Sequence, residues 1–210
     1  MSAKEEILGR IRSALADAPV APEVPREYRK TSDMGEAELI ELLVDRLVDY
    51  KAGVDVIDAA QIPDFVAAKL AGASSVVYPH GLDTAWLSAL GEDIEQRVDA
   101  PGARLGIAEL DGTSAVVTSS AVSVAESGTI ILDGEPNQGR RAISLVPDHH
   151  VCIVPVSSIV RLLPEAMPRL TITRPQTWIS GPSATSDIEL ERVEGVHGPR
   201  TLDVLMVRGL

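Results

Sequence analysis

The chain has 210 residues, 45% hydrophobic and 24% charged, which is enough apolar material for one domain with a sizeable core. Aromatic residues make up only 3%, so the core must be built from Val, Leu, Ile and Ala, and the stacking platforms of a single-strand nucleic-acid binder are missing. The net charge of −12 is concentrated in residues 34–120, where fifteen acids face five bases; an acidic middle repels phosphate backbones and argues against nucleic acid as a partner.

In chain order, residues 3–16 predict a short amphipathic helix, with Ile7, Ile11 and Leu15 four apart and Leu8 beside them. Acids at Glu5 and Glu6 stand where a leader peptide would be apolar, and no apolar run approaches the roughly 18 residues of a membrane span, so the expectation is a cytoplasmic protein without one. Pro19, Pro22 and Pro25 then mark a linker, which divides the chain into a helical arm with linker (1–33) and an α/β domain (34–210). Residues 36–51 predict a second helix on the stripe Leu39, Leu43, Leu47. A strand at Val54–Ile57, a helix at Ile62–Leu70, a strand at Ser74–Pro79, a short helix at Thr84–Leu90 and a strand at Arg104–Ala108 follow. Strands alternating with helices predict a mostly parallel sheet flanked by helices.

The second half is rich in Ser, Thr, Val and Ala. Ala115–Thr118 reads as a strand, and Val122–Leu132 as an extended run broken at Glu126-Ser127-Gly128. Gly139–Leu145 predicts a loop leading into a short helix, Val151–Val156 a buried strand, and Ser157–Leu163 a capped helix. Thr171–Thr173 and Thr177–Ile179 read as extended pieces, and Asp203–Val207 as a final strand.

Three polar loops carry the candidate chemistry. In the first, Glu126 lies between apolar runs, where a partly buried carboxylate gains basicity and can act as base or nucleophile; Ser127, Gly128 and Thr129 adjoin it as ligand contacts. The second runs from Ser180 to Asp187. Gly181-Pro182 stops a strand, Ser183 and Thr185 offer hydroxyls, and Ser186 with Glu189 fits a capping box that would open a helix at Asp187 and favour an anion there. In the third, His197 stands in a Gly-Val-His-Gly-Pro-Arg turn as an exposed acid or base, with Arg200 placed to hold a carboxylate. A bland reading stands beside each: a turn-capping acid, a well-capped helix, and a turn whose His bonds a carbonyl.

His149 and His150 precede Cys152, and on a strand His150 and Cys152 would share a face, but they do not specify a metal site. His80 closes the Ser74–Pro79 strand and is a minor candidate for lining a site. Lysine stops at Lys69, so later cations are planar guanidinium groups suited to carboxylate or phosphate. With one cysteine the chain forms no internal disulfide, and a lone thiolate cannot supply the roughly four ligands of an iron–sulfur cluster, so such a centre would lie on a partner.

The stretches Ala125–Ile130, Ser144–His149, Ser180–Glu189 and Gly195–Arg200 occur in the order seen in the LUD-domain family, which the sequence resembles over roughly residues 35–208. The resemblance implies a fold similar to the NagB/RpiA/CoA-transferase group. It implies a role in oxidising L-lactate to pyruvate beside iron–sulfur partner proteins, with no cofactor on this chain and a small carboxylate such as lactate as its ligand. Glu126-Ser127-Gly128 also faintly resembles the Glu-Asn-Gly stretch that bears the catalytic Glu of CoA transferases. A CoA-transferase-like or sugar-phosphate enzyme using Glu126 is therefore one alternative. A carboxylate-binding assembly or sensing protein without turnover is another.

Overall fold

The structure is a computed structural model and describes residues 2–17, 22–182, 184–185, 193–194 and 197–210. The first half runs α1 (Ala3–Ala14), α2 (Glu36–Asp49), β1 (Gly53–Asp58), α3 (Ile62–Lys69), β2 (Ser75–Pro79), β3 (Glu95–Asp99), α4 (Ile107–Asp111) and β4 (Ala115–Ser119). The second runs β5 (Val122–Val124), β6 (Thr129–Leu132), α5 (Arg141–Leu145), β7 (His149–Pro155), β8 (Ile159–Val160), α6 (Leu163–Ala166), β9 (Thr177–Ile179), β10 (Ala184–Thr185), β11 (Val193–Glu194) and β12 (Thr201–Arg208).

Continuous apolar runs make the inner strands, and with the edge strands β1 and β3 these form a six-stranded, wholly parallel sheet in the order β1-β12-β7-β4-β2-β3. Alternation along β7 separates two cores. Val151 and Ile153 pack with Ile62 and Val66 of α3 and with Leu70 just past it on one face. Cys152 and Val154 pack on the other face with Leu43 and Leu47 of α2 and with Ile130 and Leu132 of β6. That second face is covered partly by a smaller four-stranded sheet, β8-β5-β6-β9, in which β6 pairs antiparallel with both β5 and β9. The flanked parallel sheet agrees with the sequence; the second sheet was not expected.

Several local expectations fail for identifiable reasons. Arg104–Ala108 is not a strand. The Glu109 carboxylate accepts the Gly106 N–H at 2.6 Å and starts α4, whose Leu110 is fully buried against Val77, Val116 and Ile143. The strand on that side is instead β3, a charged edge. No helix begins at Ser157, because Ile159 and Val160 pair in parallel with Ser123 and Val124. The helix waits until α6, where Glu165 accepts the Leu162 N–H at 2.8 Å. Thr84–Leu87 forms only a 3-10 turn capped by Asp83, and Thr171 begins a turn closed by Arg174 N–H to Thr171 O at 3.0 Å.

Helix α1 is amphipathic as expected but buries no residue; Ile7, Leu8, Ile11 and Leu15 are all exposed. The segment after it is fastened to the domain through Arg29 to Glu126 at 2.8 Å and through the Ser32 N–H to Glu165 at 3.0 Å.

Candidate functional site

Two of the three polar loops line one cleft of about 210 Å³ at the amino ends of β7 and β12. The Ser180–Pro182 stretch follows β9, the His197–Pro199 stretch precedes β12, and the end of α5 contributes Ser144 and Leu145. The floor includes His150 and Leu202. Polar contributions come from the hydroxyls of Ser144, Thr177 and Ser180 and from the imidazoles of His150 and His197, while Leu145, Ile179 and Leu202 supply apolar wall. No Asp, Glu, Lys or Arg side chain lines the cleft among the described residues. A ligand there meets neutral donors on one side and hydrocarbon on the other, an arrangement suited to a small polar molecule with one apolar group.

His150 is held in the floor by register. On β7 it shares a face with Cys152, and its Nε2 lies 2.8 Å from Thr118 Oγ1 on β4. Burial, and secondarily the neighbouring His149, push its pKa down to about 3, so it is a neutral imidazole. Cys152 behind it is sealed from solvent. Burial pushes its thiol up to about 12, against a partial opposing effect of the Thr118 hydroxyl, so it is not a ready thiolate.

Glu126 is not among the residues lining this cleft. It sits in the β5–β6 turn, where its carboxylate receives Arg29 at 2.8 Å and its carbonyl receives Arg46 Nε at 3.4 Å. The turn is nevertheless tied to the cleft through hydroxyls: Ser127 Oγ lies 2.9 Å from Thr129 Oγ1, which lies 2.9 Å from Ser180 Oγ. Backbone geometry joins the same two loops at Tyr50, just past α2. Gly128 (φ +62°) and Gly181 (φ +90°) both take left-handed conformations, and a Cβ on Gly181 would lie 2.5 Å from the Tyr50 Cβ.

Arg200 lies beside the cleft rather than in it and makes two bonds to Asp148, at 2.7 and 2.6 Å. Asp148 is held below the usual carboxylate range chiefly by that guanidinium, against burial. Thr185 is described through its backbone in β10; Ser183, Asp187 and the proposed cap at Ser186 and Glu189 lie outside the described residues. Among the described residues, no group of three or more His, Cys, Asp or Glu side chains is placed to hold a metal ion.

On the opposite face of the sheet, His149 Nε2 lies 2.8 Å from Asp203, which also pairs with Lys69 at 2.9 Å; Lys69 pairs in turn with Asp55 at 2.8 Å. The sequence reading missed this cluster and the placement of His150 in the cleft. The alternation of His149 and His150 at the start of an apolar strand was the available signal, since neighbouring strand residues point to opposite faces.

Comparison with known proteins agrees with this architecture. The family model described as the LUD domain matches residues 37–207. Lactate utilization protein C of Deinococcus radiodurans is 43% identical over 209 residues, covering 98% of this chain and 95% of that protein. Lactate utilization protein C of Bacillus subtilis is 36% identical over 109 residues, 48% of this chain and 45% of that protein. A crystal structure of a DUF162 family protein from Deinococcus radiodurans superposes with a TM-score of 0.69 at 36% identity, covering 83% of this chain and 99% of that one. Among the described residues, no helix is long and apolar enough to cross a membrane. Match and fold together place the chain in the LUD-domain family.

Proposed function

We propose that this chain is a cluster-free subunit of a system that oxidises L-lactate to pyruvate, works beside partners bearing iron–sulfur clusters, and takes a small carboxylate in the cleft between Ser180 and His197. The observation that carries the reading is the near-complete alignment, at 43% identity, with a protein named for lactate utilization. The chemistry of the chain is compatible with it. The single thiol is buried and protonated, which suits a subunit whose electrons pass through clusters held elsewhere. In the cleft, the Thr177 and Ser180 hydroxyls and His197 meet the polar end of a hydroxy acid, and Leu145 and Leu202 meet its methyl group.

Two measurements test this. Disruption of the gene, in a strain with no second copy, should abolish growth on L-lactate; unimpaired growth rejects the role. Titration calorimetry should detect L-lactate binding to the purified protein, and Ser180→Ala should weaken it. Binding unchanged by Ser180→Ala removes the cleft from the proposal and leaves the growth result standing by itself.

A further inference from the structure

A larger cavity, of about 470 Å³, opens beyond the carboxyl ends of β2 and β3, away from the cleft just described. That end of a parallel sheet is where open α/β folds usually take ligands. Its wall is assembled from four distant segments: His80 after β2, Asp99 to Arg104 at and after the end of β3, the stretch from Gly134 to Ala142 that leads into α5, and Pro175.

The charges around it do not cancel. Asp99 is committed to Arg140, which makes two 2.9 Å bonds to the carboxylate and a third, at 2.6 Å, to the Leu105 carbonyl. Burial raises the Asp99 carboxyl, but Arg140 and the Leu105 N–H outweigh it and hold the group below its ordinary range. Glu135 is committed to Arg174. Once these pairs are formed, Arg104 and Arg141 remain, both exposed and neither in an ion pair among the described residues. A chain of net charge −12 therefore presents at this cavity two exposed guanidinium groups that form no ion pair among the described residues, Arg104 acting on Asp99 only at longer range.

The wall is fixed rather than loose. The Gly81 N–H donates to the Pro136 carbonyl at 3.0 Å, the Ser119 N–H to the Asn137 carbonyl at 3.0 Å, and the buried Gln138 side chain accepts the Asp133 N–H at 2.6 Å. The remaining lining is largely hydrocarbon, with Pro101, Pro136 and Pro175 facing the space. A pocket with an apolar body and two guanidinium groups at its rim suits an organic molecule carrying a multiply charged anionic group. A monocarboxylate of lactate's size would answer neither the volume nor the charge.

We propose that this cavity binds a small phosphorylated organic molecule, with Arg104 and Arg141 capturing the phosphoryl oxygens and the proline wall receiving the organic body. The site is separate from the lactate cleft and does not depend on that assignment.

The test is titration calorimetry of the full chain with ADP and inorganic pyrophosphate, and with citrate and L-lactate as carboxylate controls. ADP is expected to bind, and the double variant Arg104→Ala/Arg141→Ala to weaken it at least about tenfold, as loss of charge-assisted bonds predicts. L-lactate should not displace it. Both arginines are exposed and outside any ion pair among the described residues, so the variant should keep the parent melting temperature. Failure of both phosphorylated probes to bind, binding indifferent to the two arginines, or citrate binding as tightly as ADP would each overturn the proposal. L-lactate affinity changed by Ser180→Ala but not by the arginine variant would show that the two sites are independent.

Discussion

Thr118 and His150 meet across β4 and β7, with Oγ1 2.8 Å from Nε2 and both side chains sealed from water. Burial, with the neighbouring His149, keeps this imidazole neutral, and this has a measurable cost in acid. The folded value is about 3 against an ordinary 6.5, so the folded state binds fewer protons than the unfolded chain in between. Stability should therefore fall as pH drops from about 6.5 toward 3, with a slope from this group of about 1.4 kcal/mol per pH unit. Urea unfolding at pH 6.5, 5.5 and 4.5 measures it, and His150→Gln should flatten the slope. A slope unchanged in that variant would locate the acid sensitivity elsewhere.

Substitution at Gly181 should be costly although the residue is not in a hydrophobic core. Its φ of +90° strains any L side chain, and an added Cβ would lie 2.5 Å from the Tyr50 Cβ and 3.1 Å from its Cγ. Gly181→Ala is expected to lose about 2–3 kcal/mol, part from strain and part from overlap. Adding Tyr50→Ala should recover the overlap part, which a double-mutant cycle by chemical denaturation reads directly.

Glu126→Gln, by contrast, should leave stability within about 0.5 kcal/mol of the parent, because the Arg29 pair it removes is solvent-exposed. The variant is thus a clean probe of chemistry. Lost growth on L-lactate with an unchanged unfolding curve would give the carboxylate a functional role. Normal growth would withdraw it as a catalytic candidate.

The Lys69 cluster should behave as a structural brace. Burial lowers the Lys69 pKa, but hydrogen bonds from Asp55 and Asp203 outweigh this and raise it, so its stabilising effect is complete below 10.5 and is lost as pH rises through the higher folded value. Burial raises the Asp203 carboxyl, and bonds from His149 and Lys69 then pull it below 3.8; its contribution is complete above that value and is lost as pH falls through the folded one. Neither window overlaps neutrality. Lys69→Met should therefore cost about 2 kcal/mol at pH 7 and narrow the acid transition associated with Asp203. Equal unfolding midpoints for the two proteins at pH 7 would show that desolvation cancels the pairing.

The central strands were legible because parallel strands covered on both faces need unbroken apolar sequence, and β2, β4, β7 and β12 have it. Strand β3 was not, because an edge strand needs one partner and can leave Glu95, Gln96 and Val98 in water. The small sheet escaped notice because β8 is two residues long and its pairing with Ser123 and Val124 has no local signature. Of the candidate loops, those at Ser180 and His197 line one cleft, although the strands they border, β9 and β12, belong to different sheets. Glu126 faces Arg29, from a linker that composition marked only as extended. The cavity between Arg104 and Arg141 was beyond reach of sequence, because its rim joins positions brought together by strand order alone.

That order has a consequence for synthesis. Strand β12 follows every other described strand, yet it lies in the sheet between β1 and β7 and contacts both along most of its length. Until Thr201–Arg208 leaves the ribosome, β1 has no neighbour and β7 offers an open, apolar edge. The nascent chain must carry β1 apart from the four paired strands, joined to them only when the tunnel releases the piece that fits between. A pause or nick shortly before residue 201 would therefore leave the sheet not slightly shorter but parted from its first strand.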